Sequence, residues 1–267
     1  MRKGLFLPVV STIGFIFLYA PIISLVVFSF NANRLVTVWS GFSVKSYVSL
    51  WEDPQLLPAA GLSLQIAGVA ASIALVLGTL CAYALVRFRR FRGKTVLQAT
   101  VSAPLVMPDV ITGLALLLLF VGMQSVIGWP SGRGVLTIII AHSITCMAYV
   151  TVVVQSRLTD LDLSLEEAAM DLGATPVRVF FDVTLPIIAP ALVSAWLLAF
   201  TISLDDLVIA SFVSGPGSST LPMVIFSKIR LGVAPEVNAL ATIIIALVAS
   251  GVLVATIMQI RRPKMRA

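Results

Sequence analysis

Apolar residues in this chain fall in long unbroken runs. They do not show the alternating spacing of a half-buried strand or the 3.6-residue spacing of a surface helix. A bilayer core about 30 Å thick takes roughly 20 residues of helix. Six runs reach that length: 7–30, about 60–86, about 96–121, about 134–155, about 187–213 and about 238–260. The pattern predicts an all-α membrane protein of six transmembrane helices forming a single domain over residues 1–267. The first run follows Arg2 and Lys3, as a signal peptide would. It is longer than a signal core of about 7–15 residues and no small-x-small site follows it, so an uncleaved first span is expected.

Composition supports the membrane reading. Apolar residues make up 59% of the chain and charged residues 11%, against about 45–50% and 25% in soluble domains. Mean hydropathy is +1.06. A soluble core could not hide so much apolar surface, and a disordered, collagen-like or disulfide-stapled chain is excluded by the same numbers. Cys81 and Cys146 both lie inside apolar runs and offer no disulfide framework or thiolate metal site.

The net charge of +6 matters through its placement. With the N-terminus inside, thirteen bases fall on the inner side: Arg2, Lys3, Arg87, Arg89, Arg90, Arg92, Lys94, Arg157, Arg178, Arg261, Arg262, Lys264 and Arg266. Five fall outside: Arg34, Lys45, Arg133, Lys228 and Arg230. This bias puts both termini in the cytoplasm. The basic run 87–94 reads as a topology anchor beside anionic lipid, and no nucleic-acid partner is expected because no soluble surface presents it. Trp39, Trp51 and Trp129 fall in outer segments, where amphipathic rings suit the interface. The long 31–59 segment, with Pro54 and Pro58, is expected on the outer surface.

One inner segment, 156–186, is more than a connector. It holds Asp160, Asp162, Glu166, Glu167, Asp171 and Asp182, half of all the acids. The sequence predicts two short helices. Ser164 is placed to cap the first, with Glu167 completing a capping box. Gly173 stops it cheaply in a left-handed turn. Thr175 and Pro176 open the second, and Leu185-Pro186 closes it before the fifth span. An amphipathic hairpin lying on lipid is usually basic, whereas this one is acidic and carries small alanines suited to close docking on a protein.

Glu167-Ala168-Ala169, Gly173 after three residues, and Val183-Thr184-Leu185-Pro186 after nine more resemble the E-A-A-x3-G-x9-I-x-L-P signature, with Val183 in place of Ile. That signature marks permease subunits of binding-protein-dependent ABC importers. The resemblance implies the type I importer permease fold, with Glu167, Ala168, Ala169, Gly173, Leu185 and Pro186 forming the coupling helices that dock on a cytoplasmic ATPase. It further implies a second, different permease, an ATPase dimer and a periplasmic binding protein as partners. No cofactor is expected on this chain. It has no Gly-x-x-x-x-Gly-Lys loop, so ATP and Mg²⁺ belong to the partner ATPase.

Three acids cannot be assigned to loops. Asp109 follows Met107-Pro108 within the third run, and Asp205 and Asp206 lie in the outer half of the fifth. At about 1.5 Å per residue Asp109 is roughly 20 Å from the start of its span. Pro104 and Pro108 free backbone carbonyls beside it, irregular backbone of the kind tolerated where it lines a cavity. Ionised acids in hydrocarbon face a bundle interior or an aqueous path. No Lys or Arg in the same spans neutralises them, which points to a cation path. The competing reading is a structural role with hydroxyl, backbone or second-subunit partners. His142 reads as a packed, hydrogen-bonded residue, and Ser203 and Ser211 show no His/Asp arrangement in the sequence.

The runs 103–113, 203–217 and 235–242 extend the resemblance to polyamine importer permeases, of the putrescine type found in Gram-negative bacteria. This implies a multi-pass inner-membrane subunit that moves putrescine or spermidine inward without catalysing a reaction itself. Another small organic cation remains open as cargo. An ion-coupled secondary transporter predicts inverted repeats, and none is visible.

Overall fold

The computed structural model describes residues 6–33, 38–88, 90–231 and 235–261, with no side-chain placement for 231, 251–252 or 254–261. Of the topology-setting bases, Arg2, Lys3, Arg34, Arg89, Arg262, Lys264 and Arg266 lie outside the described residues. Twelve helices run through the described chain: α1 Phe6–Ser29, α2 Lys45–Glu52, α3 Leu56–Arg87, α4 Lys94–Val106, α5 Asp109–Ile127, α6 Val135–Asp160, α7 Leu163–Asp171, α8 Pro176–Val179, α9 Leu185–Asp205, α10 Val208–Val213, α11 Leu221–Leu231 and α12 Pro235–Arg261. No strand occurs among the described residues, only an isolated antiparallel bridge between Asn31 and Phe42.

Five described helical segments are long and apolar enough to cross a membrane: Phe6–Ser29, Leu56–Arg87, Asp109–Ile127, Val135–Asp160 and Pro176–Asp205. The last apolar run forms α12, 27 residues long. Two runs are not the continuous helices their hydropathy suggests. Residues 96–121 divide into α4 and α5 at Met107-Pro108, because Pro108 cannot donate to the α4 ladder and biases Met107 towards extended backbone; Met107 has φ −78° and ψ 137°. Residues 187–213 divide into α9 and α10 at Asp206, which is extended at ψ 121°. Asp109 is the first residue of α5, directly after the proline break expected beside it. The 31–59 segment holds α2, and α11 lies in a stretch the apolar pattern left as connection.

The chain packs as two compact units, Met1–Leu57 with Ile225–Ala267, and Pro58–Val224. In the first, α1 and α2 both pack on α12. Asp53 accepts from the backbone N–H of Gln55 and Leu56 at 2.8 and 2.9 Å, opening α3. Its other oxygen takes Lys228 Nζ at 2.6 Å. Burial pushes the Asp53 carboxyl up, but Lys228 and the two backbone donors outweigh it and hold it below the ordinary carboxylate range.

In the second unit α6 is central, packing on α9, α4, α10 and α5. Its stripe Cys146, Val150, Val154 and Leu158 repeats every four residues and meets Ala71, Ala74 and Ala82 of α3 and Ala195 and Ala199 of α9. Small residues let helix backbones approach where lipid offers no hydrophobic drive for association. Gly78 shows how closely: a Cβ there would stand 2.7 Å from Val150 Cγ1 and 2.8 Å from its Cβ. Gly78→Ala should lower stability by about 1–3 kcal/mol through overpacking. Thermal unfolding of the purified protein checks this, and adding Val150→Ala should restore most of the loss.

Candidate functional site

The two helix breaks converge. A cavity of about 360 Å³ in the second unit is lined by Asp109, His142, Thr145, Cys146, Tyr149 and the segment 201–203 and 205–209. This is within the size range of small-molecule sites. All three acids singled out in the sequence line it.

They do so in different ways. Asp206 is tied on two sides. One oxygen accepts from Ala210 N–H at 2.7 Å and the other from Ile209 N–H at 3.3 Å, which satisfies orphan donors at the start of α10. His142 Nε2 lies 3.1 Å from Asp206 Oδ2 and Nδ1 lies 2.7 Å from Ser203 Oγ. With Asp206 ionised the carboxylate only accepts, so the matching His142 tautomer donates from Nε2. His142 is thus a packed, hydrogen-bonded residue, but one joined to a candidate acid. Ser203, His142 and Asp206 form a hydrogen-bonded row that the sequence reading did not anticipate. The row braces the α9–α10 break, since Asp206 at once pairs with α6 and accepts from the first-turn N–H groups of α10.

Asp109 and Asp205 are exposed in the chain. Neither has a hydrogen-bonded or ionic partner among the described residues. Asp109 sits in the first turn of α5, where the helix dipole favours a negative charge. Asp205 ends α9, beside carbonyls that the break leaves without intrahelical donors. A carboxylate among freed carbonyls is a cation-attracting end. Tyr149, half-buried on the wall, adds a ring face suited to an ammonium group.

The signal for His142 was present in the chain. It continues the stripe 146, 150, 154 on α6, just as Ser203 continues 195 and 199 on α9, so both lie along the packed seam. Tyr149 carries no such signal.

The 156–186 segment takes a partly different form from that expected. α6 runs on to Asp160. The cap of α7 is Asp162, accepting from Ser164 N–H at 3.0 Å, and not Ser164. That donor holds the Asp162 carboxyl below its ordinary range. Gly173 turns left-handed at φ +90°. The N–H of Ala174 reaches back to Ala169 carbonyl at 3.1 Å and that of Gly173 to Met170 carbonyl at 2.8 Å, the closing pattern of a glycine-stopped helix. Pro176 opens α8 with Thr175 at its cap position, though the Thr175 side chain makes no capping bond.

Leu185-Pro186 does not end that helix. The chain widens into a π-helical turn over Phe180–Thr184 and continues as α9. A proline crowds the carbonyl four residues back, and the wider turn gives it room. Glu167, Ala168 and Pro186 are exposed, Ala169 and Leu185 half-buried. Around them Leu172 is 90% and Val177 68% exposed, an apolar surface left open at the end of a membrane helix pair. Arg87 departs from its expected role as a lipid-side anchor: it is half-buried and paired with Glu166, with Nε 2.9 Å from Oε2.

This helical arrangement is found in solved importers. The chain superposes on the structure described as a bacterial ABC transporter involved in the import of the acidic polysaccharide alginate with a TM-score of 0.72. That match is 18% identical and covers 97% of this chain and 96% of that one. It superposes on the MetNI methionine ABC transporter with a TM-score of 0.63, at 17% identity over 80% of this chain and 97% of that one. The fold is the all-α type I ABC importer permease fold.

The family model of the binding-protein-dependent transport system inner membrane component matches residues 74–267. The chain is 58% identical to the putrescine transport system permease protein PotI of Escherichia coli strain K12, over 97% of this chain and 92% of that protein. It is 45% identical to the spermidine/putrescine transport system permease protein PotC of Haemophilus influenzae, over 86% and 87%. The chain belongs to the family of binding-protein-dependent transport system inner membrane components.

Proposed function

We propose that this chain is the membrane-spanning subunit of an ATP-driven importer for polyamines, with putrescine as its cargo. The observation that carries the reading is that Asp109 and Asp205, neither partnered among the described residues, line one cavity with Tyr149. A linear diamine brings two ammonium groups joined by an apolar stem, so two separate carboxylates and a ring match its chemistry. Several weak sites also let a cation leave, where one strong site would hold it. The likeness to PotI and PotC supports the same cargo class.

In this reading the exposed loop surface around Glu167, Ala168, Leu172 and Val177 receives the ATPase. Two ATPase copies bind the nucleotide and Mg²⁺, a second, different permease completes the pathway, and a periplasmic protein delivers the amine. Both termini face the cytoplasm, which puts the basic flanks inside.

The test is purification without crosslinker, followed by reconstitution of whatever co-purifies. An ATPase and a second permease should come with this chain, and the assembled complex should take up labelled putrescine only with ATP. The chain alone should give no ATP-dependent uptake. Robust uptake by the chain alone, driven by an ion gradient, would overturn the reading in favour of a secondary transporter.

A further inference from the structure

We infer that Arg87, Glu166 and Thr184 form a positioning node that carries movement of the coupling loop into the helices that build the cavity. The inference rests on reading the chain as an ATP-driven importer subunit. None of the three belongs to the exposed motif surface. Glu166 precedes Glu167 but faces the other way: it is 6% exposed.

α7, α3, α6 and the π-helical turn meet around the Arg87–Glu166 pair. Arg87, the last residue of α3, sets Nε 2.9 Å from Oε2 and donates from Nη2 to Oε1 at 3.0 Å. Its Nη1 donates to the Leu158 carbonyl, near the C-terminal end of α6, at 3.2 Å. Thr184, fully buried, closes the π-helical turn and donates its hydroxyl to Glu166 Oε1 at 2.6 Å. Tyr83 of α3 adds an edge-to-face contact on Phe180 of that turn, with centroids 5.0 Å apart.

The placement of these contacts gives the node its meaning. Leu158 and Thr184 stand at the near ends of α6 and α9. The far parts of the same two helices hold the cavity, His142 and Tyr149 on α6 and Asp205 at the end of α9. α9 has 21 residues, a rigid rod about 30 Å long. A push on α7 therefore reaches the cavity through two continuous helices, with the π-helical turn as the place where α9 can change register.

Stability alone does not explain the node. Desolvation offsets much of the attraction in a buried ion pair, and apolar residues of similar volume fill such a site as well or better. An apolar filling lacks fixed direction: it lets α7 slide where the guanidinium fork and the Thr184 hydroxyl hold it.

The double variant Arg87→Met/Glu166→Leu separates the two roles. It removes both charges together and leaves neither unpaired. The full importer is reconstituted in liposomes, and two quantities are read: putrescine imported per ATP hydrolysed, and stimulation of hydrolysis by the cargo-loaded binding protein. Complex yield and basal hydrolysis should match the wild type while import per ATP falls roughly tenfold. Thr184→Val, which keeps the ion pair and the shape, should lower it by about threefold. A wild-type ratio in the double variant overturns the node, because packing alone is then sufficient. If the double variant fails to assemble, a wild-type ratio in Thr184→Val overturns it equally. A wild-type complex that hydrolyses ATP but moves no putrescine overturns the cargo reading instead, and the node is then judged on stimulated hydrolysis.

Discussion

Asp109→Asn and Asp205→Asn should each cut putrescine uptake at low substrate by roughly ten- to a hundredfold, about 1.4–2.7 kcal/mol. Asparagine keeps the size of the side chain and removes the charge, with one acceptor oxygen replaced by an NH2 donor. Among the described residues neither carboxylate has a partner that would be stranded, so complex yield should not change. Asp206→Asn should behave differently. Its carboxylate is held by Ala210 N–H, Ile209 N–H and His142, and asparagine can still accept from one backbone donor. Loss of the contact to His142 should loosen the α9–α10 break by about 1–3 kcal/mol, seen as reduced complex yield or melting temperature. Labelled putrescine uptake against concentration, measured beside the yield of intact complex, distinguishes affinity from assembly. Normal transport in all three variants would make the acids structural and remove the cation path.

That distinction among the acids was not legible in the chain. Hydropathy records composition, and neither Pro108 nor the Asp205-Asp206 pair lowers it enough to end an apolar run. The run at 187–213 therefore reads as a straight span although the backbone breaks at Asp206, whereas in 96–121 Pro104 and Pro108 mark the broken backbone beside Asp109. Asp206 is a residue type suited to binding first-turn N–H groups, but it shows as one only if a break is already known there. The coupling segment was more legible because its signals are local: Gly173, Pro176 and the alanines act within a few residues of themselves. The local reading still mistook Ser164 for the cap that Asp162 provides, since both are good capping residues two positions apart. Arg87 was out of reach. Its partner Glu166 lies 79 residues away, and a basic residue at the end of a span satisfies the charge-bias rule whether it faces lipid or a buried acid.

Gly173→Val should uncouple ATP hydrolysis from uptake, or lose the ATPase, while the chain still inserts. The cause is backbone, not crowding. Nothing lies within 4 Å of a Cβ built at Gly173, but its φ is +90°. A β-branched residue is a poor fit to that region, and left-handed backbone for an ordinary residue costs about 1–2 kcal/mol. The turn can relieve this strain by giving up the bonds from Gly173 to Met170 and from Ala174 to Ala169. That would swing α8 relative to α7 and separate the exposed side chains of Leu172 and Val177. Gly173→Asn is the matching control, because asparagine tolerates left-handed backbone better than other residues with a Cβ. The valine variant should retain less ATPase on co-purification, or import less putrescine per ATP, by roughly tenfold, and the asparagine variant should recover most of it. Equal loss in both variants would point to a need for a bare glycine surface against the ATPase. Normal uptake with normal ATPase retention in the valine variant would show that the angle between the two loop helices does not transmit the motion.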